Sequence, residues 1–480
     1  MQSMTLAELD RQATSIAWHL KNIGLNPGDH IGILTKNSIE WVLLDLASIK
    51  LGTIISGFEV GRYDPIHVVQ RYDLKLLLCD QPDLKIPKII SPETVRKWAE
   101  NVDDKKIKDI DIYDEYQLSD VVAIKFTSGS TGEPKGLGAS VGSINDSIMA
   151  VQEMFQHRDT DNILIFLPLS LLQQRYWVYS ALVYGHNVTI ATLDSIFFIV
   201  HAVMPTVIMG VPAFFDSVKR QLEILSKNSN QSLVERCNAI QSLLGGHIRY
   251  LWTGSAPCNR ATLDYFNDAG IPLFEGYGMN ETCIVSKNYP GAHRIGSVGK
   301  VLPNKTVRFD DKGILIVGSR NPVNTRYSWS LPEDNERMFL QTGEVFTGDL
   351  GYLDEDNYLY IIGRSDDVIA LNNGRKVHVS AIEERFKSYA DIHECVIYGA
   401  GKPFLTALIS PADNTVDKEL IHNYVKMVND MLPEENRIKG LVVAQEKFSI
   451  ENNLLTSQFK PKRKEIYAYF LANIEEIYGK

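Results

Sequence analysis

The sequence predicts an α/β protein: a large N-terminal domain of βα-layered sheets with a β-rich subdomain, then a small α+β domain at the C-terminus. Three observations carry that prediction. Apolar runs of strand length alternate with amphipathic runs of helix length from Leu6 to Trp252, which favours mainly parallel sheets covered by helices. After about Ser297 the texture changes to short apolar runs separated by Asp/Gly turns. Beyond Arg364 helical and strand-like runs mix in a compact segment to the end. At 480 residues the chain suffices for two or more domains with ample core.

The elements follow in order. Thr5-Leu6-Ala7-Glu8 is a capping box, and Leu9, Ala13, Ile16 and Leu20 give the helix it opens an apolar stripe. Gly24 and Pro27-Gly28 stop that helix, and Ile31-Gly32-Ile33-Leu34 follows as a buried strand. A second helix runs through Trp41, Leu44 and Ala47. Strands are expected near Ile54-Ile55, at Leu76-Leu77-Leu78, and at 163–167, 187–191, 206–209 and 248–252. Residues 81–117 are charged and weakly periodic, and are expected to form a surface excursion. Strands at 306–309, 313–317 and 358–362 make the β-rich subdomain. A last helix, from about Lys462 to Tyr478, carries Ile466, Tyr469, Phe470 and Ile474.

Composition narrows the function. Lys+Arg 49 against Asp+Glu 59 gives a net charge of −10, which argues against nonspecific nucleic-acid binding. Five scattered cysteines (Cys79, Cys237, Cys258, Cys283, Cys395) form no Cys-x-x-Cys pair, so neither a zinc site nor a disulfide framework is expected. The segment from Met4 to Asp10 is acidic and amphipathic, unlike a leader. The most apolar stretch, 196–203, is too short to span a bilayer. The expected protein has no transmembrane segment and works in the cytoplasm.

The richest local signal is Thr127-Ser128-Gly129-Ser130-Thr131-Gly132-Glu133-Pro134-Lys135-Gly136. It follows the apolar run Val121-Val122-Ala123-Ile124-Lys125-Phe126 and precedes a helix expected from about Ser140, which suggests a strand-to-helix turn. Glycines let the backbone approach a ligand. The exposed N–H groups, hydroxyls and ammonium are all donors, which suits a polyanion such as a triphosphate. A Walker A loop needs Gly-x4-Gly-Lys-[Ser/Thr]. Counting from Gly129, the second glycine position holds Pro134, and Gly136 follows Lys135, so the spacing fails.

With its Pro-Lys-Gly ending, this run resembles the phosphate loop of the adenylate-forming superfamily: acyl-CoA synthetases, acyl-AMP ligases, luciferases and nonribosomal adenylation domains. The likeness spans nearly the whole chain, from Thr5 to about Tyr469. The segment Val207-Ile208-Met209-Gly210-Val211-Pro212 resembles the family's strand-turn before a helix that helps shape the acyl pocket. Thr253-Gly254-Ser255-Ala256-Pro257 resembles the segment lining the adenine site, which implies nucleotide contacts for Gly254, Ser255 and Ala256. Glu275-Gly276-Tyr277-Gly278-Met279-Asn280-Glu281-Thr282 is similar to the family's Glu-Gly-Tyr-Gly-x-Thr-Glu, in which the tyrosine stacks on adenine and the final glutamate helps hold Mg²⁺. Asn280 replaces the usual threonine. It can still donate to a phosphoryl oxygen, but it is longer and planar.

Four further likenesses complete the expected site. Thr347-Gly348-Asp349 resembles the segment whose carboxylate accepts both ribose hydroxyls, and it stands fifteen residues before Arg364. Gly363-Arg364-Ser365-Asp366-Asp367 resembles the inter-domain hinge. The likeness implies that Arg364 contacts nucleotide and that the small domain rotates about Asp366, dividing the chain into 1–363 and 364–480. Gly374 matches a glycine lining the thiol-acceptor tunnel. Leu455-Thr456-Ser457-Gln458-Phe459-Lys460-Pro461-Lys462-Arg463 resembles the long-chain group's Leu-Thr-x-Thr-x-Lys-x-Lys-Arg, which makes Lys460 the adenylation lysine, with Lys462 and Lys464 as near alternatives. In Leu167-Pro168-Leu169-Ser170-Leu171-Leu172-Gln173-Gln174-Arg175 the family's histidine is Leu171 and its glutamate is Gln174, which suggests an altered acyl pocket.

The resemblance implies an ATP- and Mg²⁺-dependent ligase with Lys460, Glu281 and Lys135 as catalytic residues. A fatty or similarly apolar carboxylic acid would become acyl-AMP with release of pyrophosphate. A thiol, from CoA or a carrier protein's phosphopantetheine, would then take the acyl group. A ligase dedicated to an acyl carrier protein stays open, as does a catalytically weak nucleotide- or acyl-binding partner protein, for which Asn280, Leu171 and Gln174 speak.

Overall fold

The computed structural model describes residues 2–80, 88–100, 110–126, 134–226, 232–323, 325–365, 367–413, 415–456 and 459–479. Two seven-stranded sheets dominate it. In the first, Ile89–Ile90, Leu76–Cys79, His30–Leu34, Ile54–Gly57 and Val121–Phe126 run parallel, and Gly136–Ser140 and Tyr327–Ser328 add antiparallel edges. In the second, Asn187–Ile190, Asn162–Ile165, Val207–Gly210, Tyr250–Thr253 and Leu273–Met279 are parallel, and Cys283–Lys287 and Lys300–Val301 return antiparallel.

The apolar runs explain the layering. Ile163 and Ile165 point into a core shared with the first sheet, whereas Leu164 points to the opposite face with Ile208, Leu251 and Phe215. A strand covered on both faces loses the polar half of its alternation. The helices Leu6–Asn22, Ile39–Leu51, Val141–Phe155 and Leu172–Tyr184 fill the shared core with Ala13, Leu44, Val151 and Trp177. The predicted capping box is present: Glu8 N–H donates to Thr5 Oγ1 at 3.2 Å, and Thr5 N–H to Glu8 Oε2 at 2.7 Å.

Two side chains fasten the layers. Asn37 donates to the carbonyls of Leu167 and Ala191, each at 2.9 Å, and accepts from Leu169 N–H at 2.8 Å, so it fixes the loop between the sheets. Arg175 is buried against Asp45 at 3.3 Å and stacks on Trp41, while the Tyr179 hydroxyl donates to the same carboxylate at 2.6 Å.

The β-rich subdomain is one antiparallel sheet of Lys305–Phe309, Ile314–Ser319, Val345–Leu353 and Leu359–Arg364. The C-terminal part pairs Val368–Ala370 with Lys376–His378 and builds a three-stranded sheet of Ile392–Tyr398, Leu405–Pro411 and Ile438–Val443, covered by helices. No described helix is long and apolar enough to cross a membrane.

Three expectations need correction. The segment 81–117 is no mere excursion: Ile89–Ile90 extends the first sheet, and Pro92–Glu100 buries Val95 and Ala99 against the first core. The polar flanks of this short helix masked its apolar stripe. The glycine-rich run does not lead directly into a helix, because Gly136–Ser140 pairs with Val121–Phe126 before the helix begins at Val141. Glycines are poor strand formers, but a Cβ on Gly136 would come within 2.6 Å of the Trp329 ring. The last helix is two, Arg463–Tyr469 and Leu471–Gly479, which bury Ile466 and Ile474 in one cluster with Phe470 between them.

Replacing Asp45 with alanine would leave the Arg175 guanidinium buried without its carboxylate. Asp45→Ala should destabilise the protein by about 3–5 kcal/mol, read as a lower midpoint of chemical unfolding. An unchanged midpoint would contradict the role given to this pair.

Candidate active site

The strand Leu273–Met279 and its antiparallel return Cys283–Lys287 form the spine of a cavity of about 730 Å³. The turn between them is tightly built. A Cβ on Gly278 would lie 2.1 Å from the Cys283 carbonyl oxygen, so only glycine fits. Cys283 itself has φ +56°, and Lys305 Nζ holds the turn from below by donating to the Thr282 carbonyl at 2.9 Å and to Ser319 Oγ at 2.7 Å. This geometry turns Tyr277, Gly278, Asn280 and Glu281 towards the cavity, with Glu275 and Gly276 behind them on the same wall.

Tyr277 meets the third sheet at Asp349. Its hydroxyl donates to Asp349 Oδ2, and Arg364 Nη1 donates to Asp349 Oδ1 at 3.3 Å and to the Thr347 carbonyl at 3.0 Å. Asp349 is not a turn residue, as Asp after Gly commonly is. It lies within Val345–Leu353, where Gly348 takes φ +74° and a Cβ would stand 3.1 Å from Arg364 Nη2. Thr347 Oγ1 accepts from Asp349 N–H at 3.0 Å and donates to the Leu315 carbonyl at 2.8 Å. Burial and the Asp349 charge push the Tyr277 phenol well above its ordinary pKa, so it stays a donor.

Lys460 enters from the small domain. Its N–H donates to Thr456 Oγ1 at 3.1 Å and its carbonyl accepts from Thr456 N–H at 2.8 Å, so Lys460 is held opposite Thr456. Arg463, three residues on, forks onto both oxygens of Glu383 at 2.6 Å and anchors this stretch to the helix Ser380–Lys387. Lys460 is exposed, but its exposed surface faces the cavity. Desolvation there lowers its pKa, Asp349 opposes the shift and Arg364 adds to it. Lys462 instead donates to Asn453 Oδ1 at 2.5 Å, and Lys464 is exposed outside the cavity wall. Of the three lysines, only Lys460 lines the cavity.

The remaining expected residues divide. Ser255 and Ala256 line the cavity, whereas Gly254 lies behind them at the end of the strand Tyr250–Thr253. Lys135 lies off the wall, with its ammonium 2.6 Å from Asp334 and 5.3 Å from the centre of the Tyr327 ring. The Tyr327 hydroxyl donates to Glu281 Oε1 at 2.7 Å, which connects Lys135 to the cavity through one aromatic side chain. Gly374 sits at φ +81° in a turn outside the cavity wall. Val207 to Pro212 also contributes nothing to that wall. Leu171, Gln174 and Asn280, the three departures, all line it. Thr127, Ser128, Gly129, Ser130, Thr131, Gly132 and Asp366 lie outside the described residues.

Sequence reasoning missed several wall residues. Lys125, buried at the end of Val121–Phe126, faces the same cavity; burial lowers its pKa, while Cys283 and Glu281 favour its charged form. Its position one residue before Phe126 in an apolar strand is the signal that could have exposed it. Glu275, by contrast, opens the expected Glu275-to-Thr282 run; it accepts from Cys258 N–H at 3.1 Å, and burial raises its pKa to about 7. Glu383, Glu384, Lys387 and Glu394 close the cavity from the small domain and carried no motif to mark them.

The wall therefore holds a hydroxyl–carboxylate–guanidinium cluster at one end, a carboxylate near a turn of donors, and a lysine supplied from another domain. Such a cavity can bind a polyhydroxylated anion and bring a cation to a reacting phosphoryl group. A divalent cation is compatible with Glu281: one of its oxygens accepts from Tyr327, and Mg²⁺ needs only one or two protein carboxylates when phosphates and waters complete its shell.

The chain resembles known proteins over most of its length. Residues 1–317 match the family model described as AMP-binding enzyme, and residues 366–480 match the AMP-binding enzyme C-terminal domain. A long-chain-fatty-acid–CoA ligase of Mycobacterium bovis is 24% identical, over 99% of this chain and 92% of its own length. A 2-succinylbenzoate–CoA ligase of Bacillus anthracis is 26% identical, over 83% of this chain and 80% of its own length. Among solved structures, the o-succinylbenzoate CoA synthetase of Bacillus subtilis with its acyl-adenylate intermediate superposes with a TM-score of 0.79 at 22% identity, covering 97% of this chain and 93% of its own. The fold is that of these adenylate-forming ligases, and on the match over most of its length this chain belongs to the AMP-binding enzyme family.

Proposed function

We propose that the protein is an ATP-dependent acid–thiol ligase that works through an acyl-AMP. The observation that carries this reading is the convergence of Tyr277, Asp349, Arg364 and Lys460 on one cavity between two parts of the chain. Tyr277 and the Ser255-Ala256 turn hold the adenine, and Asp349, already accepting from Tyr277 and Arg364, takes the ribose hydroxyls. Thr127 to Gly132 with Lys135 cradle the β- and γ-phosphates. Asn280 donates to the α-phosphate from the threonine position. Glu281 would hold Mg²⁺, which would offset charge on the phosphates.

The acid carboxylate attacks the α-phosphorus, forming the acyl–phosphate bond as the bond to pyrophosphate breaks. Lys460 lies where the two anions must meet, and its charge offsets the growing negative charge on the α-phosphoryl oxygens. Its lowered pKa still leaves it a donor to an arriving dianion, because anionic substrate favours the charged form. The body of the acid is apolar, since Leu167, Leu171, Leu172 and Leu263 supply that part of the wall. Leu171, in place of the family's histidine, makes this stretch more apolar still.

The acceptor is CoA, or the same phosphopantetheine arm on a carrier protein. The naming of the relatives as CoA ligases supports CoA. For the thiol step the region after 364 turns about Asp366, and Gly374 lines the thiol's path. The boundary at 363/364 falls at the end of the third sheet, close to where the second family match begins.

Lys460→Ala should abolish acid-dependent pyrophosphate release while thioester formation from supplied acyl-AMP survives; unchanged adenylation would remove Lys460 from the site. Asp349→Ala should raise the KM for ATP by about ten- to hundredfold, with a smaller change in the KM for the acid. An equal rise for both substrates would count against a ribose contact.

A further inference from the structure

Behind the cavity wall lies a polar group that adenylation leaves unused. Lys287 ends the strand Cys283–Lys287 and is fully buried. Three rings enclose its ammonium, with centres 3.9 Å away for Trp252, 4.8 Å for Trp177 and 5.0 Å for Phe155. Among the described residues no atom accepts a hydrogen bond from Lys287 Nζ, and the indole N–H groups of Trp177 and Trp252 are equally buried and without an acceptor. The two indole rings are 6.2 Å apart, so three unpaired donors share one small volume.

That concentration is costly. A buried donor without a partner loses about 1–3 kcal/mol, and a charged one more. An apolar residue at position 287 would have packed the same core without that loss. Burial lowers the Lys287 pKa to about 7, and the aromatic faces partly offset what remains of its charge. The rings therefore explain how the lysine is tolerated. They do not explain why two indole N–H groups are left open beside it.

The cluster adjoins the cavity. Lys287 is in register with Gly276, a wall residue, and a Cβ on Gly276 would stand 3.1 Å from Trp252 Nε1 and 3.2 Å from Lys287 Cγ. Trp177 lies on the helix Leu172–Tyr184, whose first turn lines the same cavity through Leu172, Gln173 and Gln174. At Gly276 the wall itself carries no side chain, and Trp252 Nε1 and Lys287 Cγ are the side-chain atoms nearest the space a Cβ would take.

We propose that Lys287, with the indole N–H groups of Trp177 and Trp252, is a specificity-determining site for an acceptor oxygen at the far end of the acid. The preferred substrate is then bifunctional: one carboxylate to be adenylated, an apolar middle, and a second carboxylate or keto oxygen at the other end. This rests on the ligase reading above and adds the polar tip to the apolar body given there. A pocket built to pair a polar group discriminates strongly against an analogue that lacks it, because its own donors are then stranded.

The test is pyrophosphate release with three series of acids of matched length and body, ending in methyl, ketone or carboxylate. It compares the full-length wild type with Lys287→Met, which is one atom shorter, stays unbranched and removes the donor. The wild type should prefer the carboxylate- or ketone-ended series, and the better of the two names the acceptor. Lys287→Met should lower kcat/KM on that series by about ten- to hundredfold and leave or improve activity on the methyl-ended one. A melting curve checks folding, and Lys287→Gln, which retains one donor, serves if Lys287→Met is unstable; it should keep part of the preference. If methyl-ended acids are favoured by the wild type, or the preference survives both substitutions, a resident water satisfies these donors and the proposal is overturned. Release with no acid of any series would overturn the ligase reading and this one together.

Discussion

The site depends on one buried carboxylate. Asp349 lies where three parts of the chain meet: Tyr277 from the second large sheet, Arg364 from the last strand of the β-rich subdomain, and Lys460 from the C-terminal part. A buried charge is tolerated only when it is paired and hydrogen-bonded. That requirement ties the strand of Tyr277 to the β-rich subdomain through Asp349 and Arg364. The backbone around Asp349 is shaped to match. Gly348 adopts the left-handed region so that Arg364 can cross it, and Thr347 ties the same stretch to Leu315 in the neighbouring strand.

Much of the fold was legible because its strands are buried on both faces. The runs at His30–Leu34 and Asn162–Ile165 had to be covered by helices, and the first helix, Leu6–Asn22, was marked by its capping box at Thr5. What escaped has local causes. Gly136–Ser140 was hidden by its own glycines, which are needed because Trp329 and Val121 occupy the space their side chains would take. Pro92–Glu100 was hidden by its charged neighbours, although Val95 and Ala99 are core residues.

The site divides along the same line. Tyr277, Glu281, Asp349, Arg364 and Lys460 stood in recognisable runs, and these residues do meet or border one cavity. Lys125, Glu383, Glu384 and Lys387 stood in no such run, because a residue acquires a place in a wall only through tertiary packing. Tyr327 is the clearest case. It joins Lys135 to Glu281, yet it comes from a two-residue edge strand with nothing local to mark it. The lysines also fall into separate tasks by environment. Lys460 faces the cavity beside Asp349, Lys135 pairs with Asp334, and Lys287 is enclosed by rings.

The central claim is that the acid carboxylate attacks the α-phosphorus of ATP within the cavity around Asp349 and Lys460. The most direct measurement is the fate of oxygen-18 supplied in both carboxylate oxygens of an acid the enzyme accepts, followed by mass spectrometry after thioester formation. This account predicts one labelled oxygen in AMP and none in pyrophosphate, because the oxygen that bonds to phosphorus leaves with AMP when the thiol takes the acyl group. Unlabelled AMP, or label recovered in inorganic phosphate alongside ADP, would contradict it.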